Sequence, residues 1–322
     1  MVVTRGWAPV NPDGARYLVG LIGAEISTSL SPQLHERAAD ELGMKYFYQL
    51  IDIERLGLAA DEAGPLLTEA RRMGFRGLNI THPCKQVVVR YLDGLSPAAA
   101  ALAAVNTVEF ADAKMIGHNT DSSGFEAAFT RGLPGVPMRH VVILGAGGAG
   151  AAVAHALLRL GAQRLTIAEV VSARAHRLTA ALRAQFAPEW VRPADPGDLA
   201  MATRDADGLV NATPVGMEPQ AGMPVPEELL RPGMWVADIV YRPLETELLA
   251  RARARGCQTL SGSGMLVYQA ADAFRLFTGR APDVERMFSH LASLTARGDH
   301  PPVPGAAGPW PDRGQDRHVP AP

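Results

Sequence analysis

The stretch VVILGAGGAG, residues 141–150, decides the fold of this chain. Its first four residues form an apolar run typical of a buried strand, and residues 151–160 are rich in Ala and Leu, which favours a helix. Glycines spaced G-x-G-x-x-G between a strand and a helix are typical of a Rossmann dinucleotide-binding unit. They allow a tight turn, a close approach of the backbone to a pyrophosphate, and close contact between helix and strand. The sequence predicts a phosphate-binding loop formed by Gly145, Ala146, Gly147, Gly148, Ala149 and Gly150. The alternative is a glycine-rich turn that binds no ligand.

The next predicted strand, residues 165–168, indicates which dinucleotide this loop would hold. Glu169 follows the strand directly, about 20 residues beyond the glycines, where an acidic side chain accepts hydrogen bonds from the ribose hydroxyls of NAD. The same carboxylate would repel the 2′-phosphate of NADP. We therefore expect NAD as the cofactor. The alternative is that Glu169 merely ends a strand in solvent.

Strand and helix patterns alternate on both sides of the glycine-rich loop. Before it, the pattern predicts strands at 17–23, 46–53 and 77–80 and helices at 33–42 and 66–73. After it, further strands are predicted at 208–211, 235–240 and 258–260, followed by a helix at 265–277. Ser31 before Pro32 predicts the N-cap of the first helix. The alternation predicts an α/β fold with parallel strand pairing.

The composition of the 322 residues is that of an ordinary globular protein, with 47% hydrophobic and 20% charged residues and a formal net charge of -2. We expect no nucleic-acid partner, because Lys and Arg are not clustered. We expect no membrane span and no secretory signal, because no sufficiently long apolar run is present. Two cysteines favour a reducing, cytoplasmic setting over a disulfide framework.

Six ordered motifs place the chain near a known family. They are SLSP at 29–32, NITHPCK at 79–85, VNT at 105–107, HNTD at 118–121, NATPVGM at 211–217 and GMLVYQ at 264–269. This set resembles the shikimate dehydrogenase family over nearly the whole chain. The stretches GLNITHP at 77–83, GHNTD at 117–121 and DAFRLFTG at 272–279 are most similar to NAD-dependent quinate/shikimate dehydrogenases.

The resemblance implies a role for each matching position. Lys85 and Asp121 match the catalytic pair. The positions that match substrate contacts are Ser29, Ser31, Thr81, Asn106, Tyr241 and Gln269. The positions that match the cofactor site, besides the glycine-rich loop and Glu169, are Asn211, Thr213, Ile239 and Gly262. No metal is implied. Asp121 could alternatively be a helix N-cap.

Two departures from the family pattern bear on specificity. The Asn-Arg-Thr/Ser pattern common to NADP-binding members reads Ala168-Glu169-Val170 here, so the arginine for a 2′-phosphate is replaced by an acid. The common His-Ser-Lys-Ser-Pro reads Thr28-Ser29-Leu30-Ser31-Pro32, and leucine at this position also occurs in members that accept quinate. The first departure favours NAD as the cofactor, and the second favours a substrate range that includes quinate as well as shikimate.

The resemblance thus implies an oxidoreductase that removes a hydride from a ring hydroxyl of shikimate or quinate, with Lys85 nearest the proton and Asp121 orienting it. The implied domains are a discontinuous substrate domain at 1–121 and 262–297 around a Rossmann-type NAD-binding domain at 122–261, with a disordered tail at 298–322. A monomer or homodimer is expected. The alternatives are an NADP-dependent or aminoshikimate-type dehydrogenase, or an inactive nucleotide-binding regulatory module.

Overall fold

The protein is described by a computed structural model that covers residues 16–218 and 221–296. Within these ranges the chain forms two six-stranded sheets, the first from strands that precede residue 119 and the second from strands that follow residue 140. No helix in the described ranges is long and apolar enough to cross a membrane. The predicted disordered tail at 298–322 and the first fifteen residues of the predicted substrate domain lie outside the described residues.

The first sheet is mixed, with strand order β2-β1-β3-β5-β6-β4. Its strands are β1 (Arg16–Gly23), β2 (Lys45–Asp52), β3 (Gly77–Ile80), β4 (Gly94–Leu95), β5 (Thr107–Ala111) and β6 (Lys114–His118). The three strands that the sequence predicts, β1 to β3, pair in parallel as expected. Strand β5 runs antiparallel to both β3 and β6, so the expectation of parallel pairing is wrong for this part of the sheet.

A two-residue turn explains why the β5–β6 hairpin escaped prediction. Asp112 and Ala113 connect the strands with φ angles of 48° and 64°. Two positive φ values are the geometry of a type I′ hairpin turn, whose usual sequence signal is Asn-Gly or Asp-Gly. Here alanine occupies the second position, so the turn has no glycine to reveal it.

The second sheet is entirely parallel, with strand order β12-β11-β10-β7-β8-β9. Its strands are β7 (Val141–Leu144), β8 (Leu165–Ala168), β9 (Val191–Ala194), β10 (Gly208–Asn211), β11 (Trp235–Asp238) and β12 (Gln258–Leu260). The order reverses between β7 and β10, which is the doubly wound Rossmann arrangement. Ligands of such sheets bind outside the carboxyl ends of the strands at this switch point. The fold therefore places the glycine-rich loop, which follows β7, at the expected crevice.

Helices cover the sheets and join them. They are α1 (Ser31–Glu41), α2 (Ala63–Arg72), α3 (Pro97–Leu102), α4 (Thr120–Gly132), α5 (Gly148–Arg159), α6 (Ser172–Arg183), α7 (Leu199–Thr203), α8 (Glu247–Ala254), α9 (Ser263–Thr278) and α10 (Val284–Ala296). Helix α5 begins at Gly148, within the glycine-rich loop and earlier than the predicted start at 151. Gly161, just after α5, has a φ of 100°, which suits a glycine after a helix end.

Helix α9 packs against elements from the beginning of the chain. Its Phe274 belongs to one apolar cluster with Leu34 of α1, and its Phe277 belongs to another with Val19 of β1. The helix also lies close to α4, because a Cβ built on Gly264 would be 2.9 Å from the Cβ of Ala128. The two sheets are therefore held together by the α4–α9 contact.

Candidate active site

A cleft of about 830 Å³ brings together residues that are far apart in the sequence. It lies where β3 and β5 of the first sheet face the loops that follow β7 and β11 of the second. The structure places all eight residues with predicted catalytic or substrate roles in its lining: Ser29, Ser31, Thr81, Lys85, Asn106, Asp121, Tyr241 and Gln269. Ala149, Ile239 and Gly262 of the predicted cofactor set line the same cleft.

Lys85 and Asp121 form an ion pair in this cleft, with Nζ 2.5 Å from Oδ2. Their side chains are only 17% and 12% exposed, so the pair is shielded from bulk solvent. The other carboxylate oxygen, Oδ1, accepts a hydrogen bond of 2.9 Å from Nδ2 of Asn106. An amine and a carboxylate in contact at the edge of a cleft are suited to moving a proton at a bound hydroxyl.

The local backbone explains how Asp121 becomes available to Lys85. Asn119 caps α4, because its side-chain oxygen accepts a hydrogen bond from the Ser122 N–H at 3.2 Å. Asp121 is in the first turn of the helix and is not its N-cap, so the alternative interpretation of this residue is wrong. Its carboxylate does not cap the helix, and the positive end of the helix dipole stabilises its negative charge.

Ser29 and Ser31 line the cleft at the start of α1. The N-cap position is Leu30, and Ser31 is the first helical residue, so the predicted N-cap at Ser31 is wrong. Leu30 is buried in the apolar cluster shared with α9, and its backbone is already helical, which moves the helix start back by one residue. The Ser31 N–H donates to the Ser29 Oγ at 3.3 Å. Two hydroxyls near free N–H groups at a helix start suit a carboxylate.

Tyr241 and Arg242 approach this end of the cleft from the second sheet. Burial raises the pKa of the Tyr241 phenol, which therefore keeps its proton and can donate a hydrogen bond. Arg242 Nη1 donates to the carbonyl oxygen of Thr28 at 3.1 Å, next to Ser29. Sequence reasoning missed Arg242, because a surface arginine is the ordinary interpretation of an arginine in a loop.

The glycine-rich loop has the geometry that its sequence predicts. Gly145 has a φ of 96°, and a Cβ there would lie 2.8 Å from the Ala212 carbonyl oxygen. A Cβ on Gly150 would lie 2.3 Å from the carbonyl oxygen of Gly145, so any other residue there would force helix α5 away from the loop. A Cβ on Gly147 would meet nothing within 4 Å. Two of the glycines are thus needed for packing, and Gly147 faces open space.

Glu169 is buried at the end of β8, beside the glycine-rich loop. Its Oε2 accepts a hydrogen bond from the Ala146 N–H at 2.8 Å, and its Oε1 accepts one from the Val171 N–H at 3.0 Å. The alternative of a solvated strand end is wrong, because the side chain is only 8% exposed. The backbone holds the carboxylate in one position, with lone pairs left to accept further hydrogen bonds.

Asn211 and Thr213, two further predicted cofactor residues, do not line the cleft. Asn211 is fully buried, donates to Asp238 Oδ1 at 2.9 Å and to the Val215 carbonyl at 3.0 Å, and accepts from the Thr213 hydroxyl at 2.6 Å. These hydrogen bonds hold the loop after β10 in shape. The side chain of Asn211 is therefore committed to the protein.

Asp238 at the end of β11 is a site-forming residue that sequence reasoning missed. Burial raises the pKa of its carboxyl, which accepts hydrogen bonds from Asn211, the Val240 N–H and the Thr246 hydroxyl. These bonds fix the loop that carries Ile239 and Tyr241 into the cleft. The sequence pattern predicts a strand at 235–240, which places Asp238 inside it, whereas β11 ends at Asp238.

Cys84, next to Lys85, is fully buried, and burial raises the pKa of its thiol to about 11. Cys84 is therefore a small buried residue and not a reactive thiol. Among the described residues, no group of three or more His, Cys, Asp or Glu side chains is arranged to hold a metal ion.

Fold and site together define a Rossmann-type dinucleotide-binding protein with a second α/β unit that completes a polar cleft. Family models match three parts of the chain. The shikimate dehydrogenase substrate binding domain matches residues 21–108, the saccharopine dehydrogenase NADP binding domain matches 141–257, and the shikimate 5'-dehydrogenase C-terminal domain matches 262–287.

Individual relatives agree with these models. A protein named shikimate dehydrogenase (NADP(+)) from Streptomyces avermitilis is 58% identical over 86% of this chain and 96% of its own length. A quinate/shikimate dehydrogenase (NAD(+)) from Corynebacterium efficiens is 46% identical over 86% of this chain and 98% of its own. The solved structure of quinate dehydrogenase from Corynebacterium glutamicum in complex with NAD superposes with a TM-score of 0.81 at 44% identity, covering 87% of this chain and 99% of that one. The chain belongs to the shikimate dehydrogenase family.

Proposed function

We propose that this protein is an NAD-dependent dehydrogenase that interconverts shikimate or quinate with the corresponding 3-dehydro acid. The observation that carries the proposal is the Lys85–Asp121 pair, shielded in a cleft that also receives the glycine-rich loop. A Cβ on Gly148 of that loop would lie 3.5 Å from Cδ of Lys85. The proton-handling pair and the predicted phosphate loop thus adjoin each other.

Removal of a hydride from a ring carbon leaves a carbonyl only if the hydroxyl proton leaves as well. Lys85 takes this proton in its neutral form, and Asp121 orients the amine and stabilises the ammonium that results. The Asn106 amide holds the far side of the carboxylate at 2.9 Å, which fixes its orientation. In the reverse direction the Lys85 ammonium returns the proton to the carbonyl oxygen.

The polar end of the cleft supplies recognition of the substrate carboxylate. Ser29, Ser31 and the protonated Tyr241 phenol offer hydroxyl donors, and the neighbouring Arg242 adds a positive charge. Thr81 and Gln269, on the walls of the cleft, are left to contact the ring hydroxyls. A small polyhydroxy acid thus meets donors for its carboxylate at one end and the proton-handling pair at the other.

The chain fits a bound nicotinamide dinucleotide at the carboxyl end of β7. The open space at Gly147 and the free N–H groups at the start of α5 suit a pyrophosphate. Ile239 and Gly262 line the cleft where a nicotinamide ring would stand next to the substrate. A Cβ on Gly262 would lie 2.2 Å from the Ile239 carbonyl oxygen, so glycine is required there. The cofactor, when bound, supplies the hydride acceptor.

The choice of NAD over NADP rests on Glu169. Its carboxylate is held by two backbone N–H groups at the position of an adenosine ribose, and a 2′-phosphate there would face a like charge. Val170 and Val171, the next two residues, are exposed and uncharged. Relatives carry names of both kinds, NADP(+) at 58% identity and NAD(+) at 46%, so NAD is proposed on Glu169 and not on the relatives.

We also propose the domain division at 1–121 with 262–297, and at 122–261. The membership of the two sheets supports it, and so do the contacts of Phe274 and Phe277 of α9 with α1 and β1. Helix α4, at the start of the proposed dinucleotide domain, is the element that α9 contacts across the boundary.

The test is an assay of the purified protein with shikimate and quinate, each with NAD and with NADP, followed by the absorbance of the reduced cofactor. We expect turnover with at least one of the two acids and a preference for NAD of about a hundredfold or more in kcat/KM, because like charges in partly desolvated contact cost several kcal/mol. Glu169→Gln should lower the ratio of kcat/KM with NAD to kcat/KM with NADP by about tenfold or more. Glu189→Gln, which alters an exposed carboxylate of the same sheet region, is the control. Equal kcat/KM for both cofactors in the unmodified protein would refute the NAD assignment.

A further inference from the structure

Beneath the cleft, a row of buried polar side chains connects the middle of β2 to the Lys85–Asp121 pair. It runs across three strands of the first sheet and ends at the first turn of α4. Its members are Tyr48, Asn79, Thr107, Asn106 and Asp121, and none of them is more than 8% exposed. The successive contacts measure 2.8, 3.0, 3.2 and 2.9 Å. All four are within hydrogen-bond range.

Backbone groups fix the orientation of both amides in this row. The Thr120 N–H can only donate, and it donates to Asn106 Oδ1 at 2.7 Å, so Asn106 Nδ2 must face Asp121. The carbonyl oxygen of Asn106 can only accept, and it lies 3.4 Å from Asn79 Nδ2, so Asn79 Oδ1 must face Tyr48. The direction of each amide therefore follows from a neighbour whose role is unambiguous.

The hydroxyl groups of the row donate their hydrogen bonds in the same direction as the amides. Burial raises the pKa of the Tyr48 phenol, which therefore keeps its proton and donates it to Asn79 Oδ1. Asn79 Nδ2 donates to Thr107 Oγ1, which leaves the Thr107 proton to be donated to Asn106 Oδ1 at 3.2 Å or to Thr120 Oγ1 at 3.3 Å, and Thr120 Oγ1 lies 3.2 Å from the same Asn106 oxygen. Every link thus donates toward Asp121, and the last acceptor is a carboxylate oxygen.

We propose that Tyr48, Asn79 and Thr107 are positioning residues that act through Asn106 on Asp121. Hydrogen bonds that point the same way polarise one another. The Asn106 N–H therefore presents an increased partial positive charge to the Asp121 carboxylate and holds the plane of that carboxylate toward Lys85. The row does not conduct protons, because two of its links are amides, which keep their protons. This inference rests on the proposed roles of Lys85 and Asp121.

The row also begins next to Ser31. A side-chain interaction with Ser31 opposes the effect of burial on the pKa of the Tyr48 phenol. Ser31 belongs to the hydroxyls proposed for the substrate carboxylate. A substrate that engages Ser31 would therefore bind next to Tyr48, the first member of the row.

Tyr48→Phe and Thr107→Val each remove one hydroxyl from the row with little change of shape. We expect each to lower kcat about threefold to tenfold, since one link is lost in a buried network, while KM for NAD stays within about twofold. Tyr46→Phe is the matched control on the same strand, because its hydroxyl bonds to His35 at 2.9 Å and lies outside the row. It should leave kcat unchanged. Melting temperatures establish that each variant is folded, and Thr107→Val carries the test if Tyr48→Phe does not fold.

A double-mutant cycle with Asp121→Asn separates positioning from general damage to the sheet. If the row acts through the Asp121 charge, Tyr48→Phe and Thr107→Val should each change the residual kcat of Asp121→Asn by less than about twofold. The same loss in both backgrounds would overturn the proposal, and so would equal kcat values for Tyr48→Phe and Tyr46→Phe. Full activity of Asp121→Asn itself would instead contradict the proposed function.

Discussion

Lys85 is the residue on which the proposed chemistry depends most directly. Lys85→Ala removes the group that takes the hydroxyl proton, so we expect kcat to fall by about 10²–10⁴-fold. Binding of NAD should survive, because the loop and Glu169 that would hold it are contributed by other elements. Steady-state kinetics and a fluorescence titration with NAD measure the two effects. Lys114→Ala, at an exposed lysine of β6, is the control. Near-normal turnover of Lys85→Ala would leave this residue a binding role at most.

At the residue scale, the sequence motifs predict the residues that line the site but not the buried residues that hold them in place. Lys85, Asp121 and Asn106 could be named from sequence because their motifs resemble those of the family. Asp238 and Tyr48 could not, because their roles arise from contacts across strands. Tyr48 Oη reaches Asn79 over 31 positions of sequence, and such a distance has no periodicity to reveal it.

The element that most clearly depends on one residue is helix α5. A Cβ on Gly150 would lie 2.3 Å from a backbone oxygen of Gly145, so Gly150→Ala must push the helix start away from the loop. We expect a loss of about 1–3 kcal/mol in the free energy of unfolding, the usual cost of overpacking, together with a raised KM for NAD. Urea unfolding and steady-state kinetics measure the two quantities.

Gly147→Ala is the matched comparison within the same loop. A Cβ there meets nothing within 4 Å, and the backbone φ of -76° suits alanine. We therefore expect unchanged stability but weaker NAD binding, because the added methyl group enters the space proposed for the pyrophosphate. Equal stability of the Gly150→Ala variant and the unmodified protein would show that the loop can yield, and the packing argument would fail.

At the scale of the whole molecule, His35 joins both ends of the described chain. It lies on α1, bonds to Tyr46 of β2, and its ring is 6.1 and 6.2 Å from the rings of Phe274 and Phe277 of α9. Burial lowers its pKa from 6.5 to about 3. Since the folded pKa is lowered, the unfolded chain takes up the proton first as the pH falls. The contribution of neutral His35 to stability is thus complete above about pH 6.5 and is lost progressively toward pH 3.

Because of His35, we expect the free energy of unfolding to fall by about 2 kcal/mol between pH 7 and pH 5. The fall is about 1.4 kcal/mol for each pH unit below the pKa of the histidine in the unfolded chain. Urea unfolding at the two pH values measures this loss. In the His35→Gln variant, the fall in the free energy of unfolding between the two pH values should be smaller by the contribution of His35. His176→Gln, which removes an exposed histidine at the start of α6, controls for the loss of an imidazole as such. The same pH-dependent loss in His35→Gln and the unmodified protein would contradict the assignment.

The sequence by itself determined the parts of this protein that depend on local order. Strands β3, β7, β8 and β10 have the bounds predicted from their largely apolar runs, because a strand buried on both faces is apolar along most of its length. The glycine-rich loop was equally readable, since its turn and its close contact with α5 require glycine at set spacings.

Only the tertiary structure decided what depends on contacts between distant segments. The β5–β6 hairpin turns without a glycine, Leu30 rather than Ser31 precedes α1 because the core buries it, and Asn119 rather than Asp121 caps α4. The Tyr48-to-Asp121 row joins three strands and a helix, each locally unremarkable in sequence. Hydrogen-bond direction is a property of the assembled partners, whereas periodicity and glycine spacing are properties of the chain, and this is why the first needed the fold and the second did not.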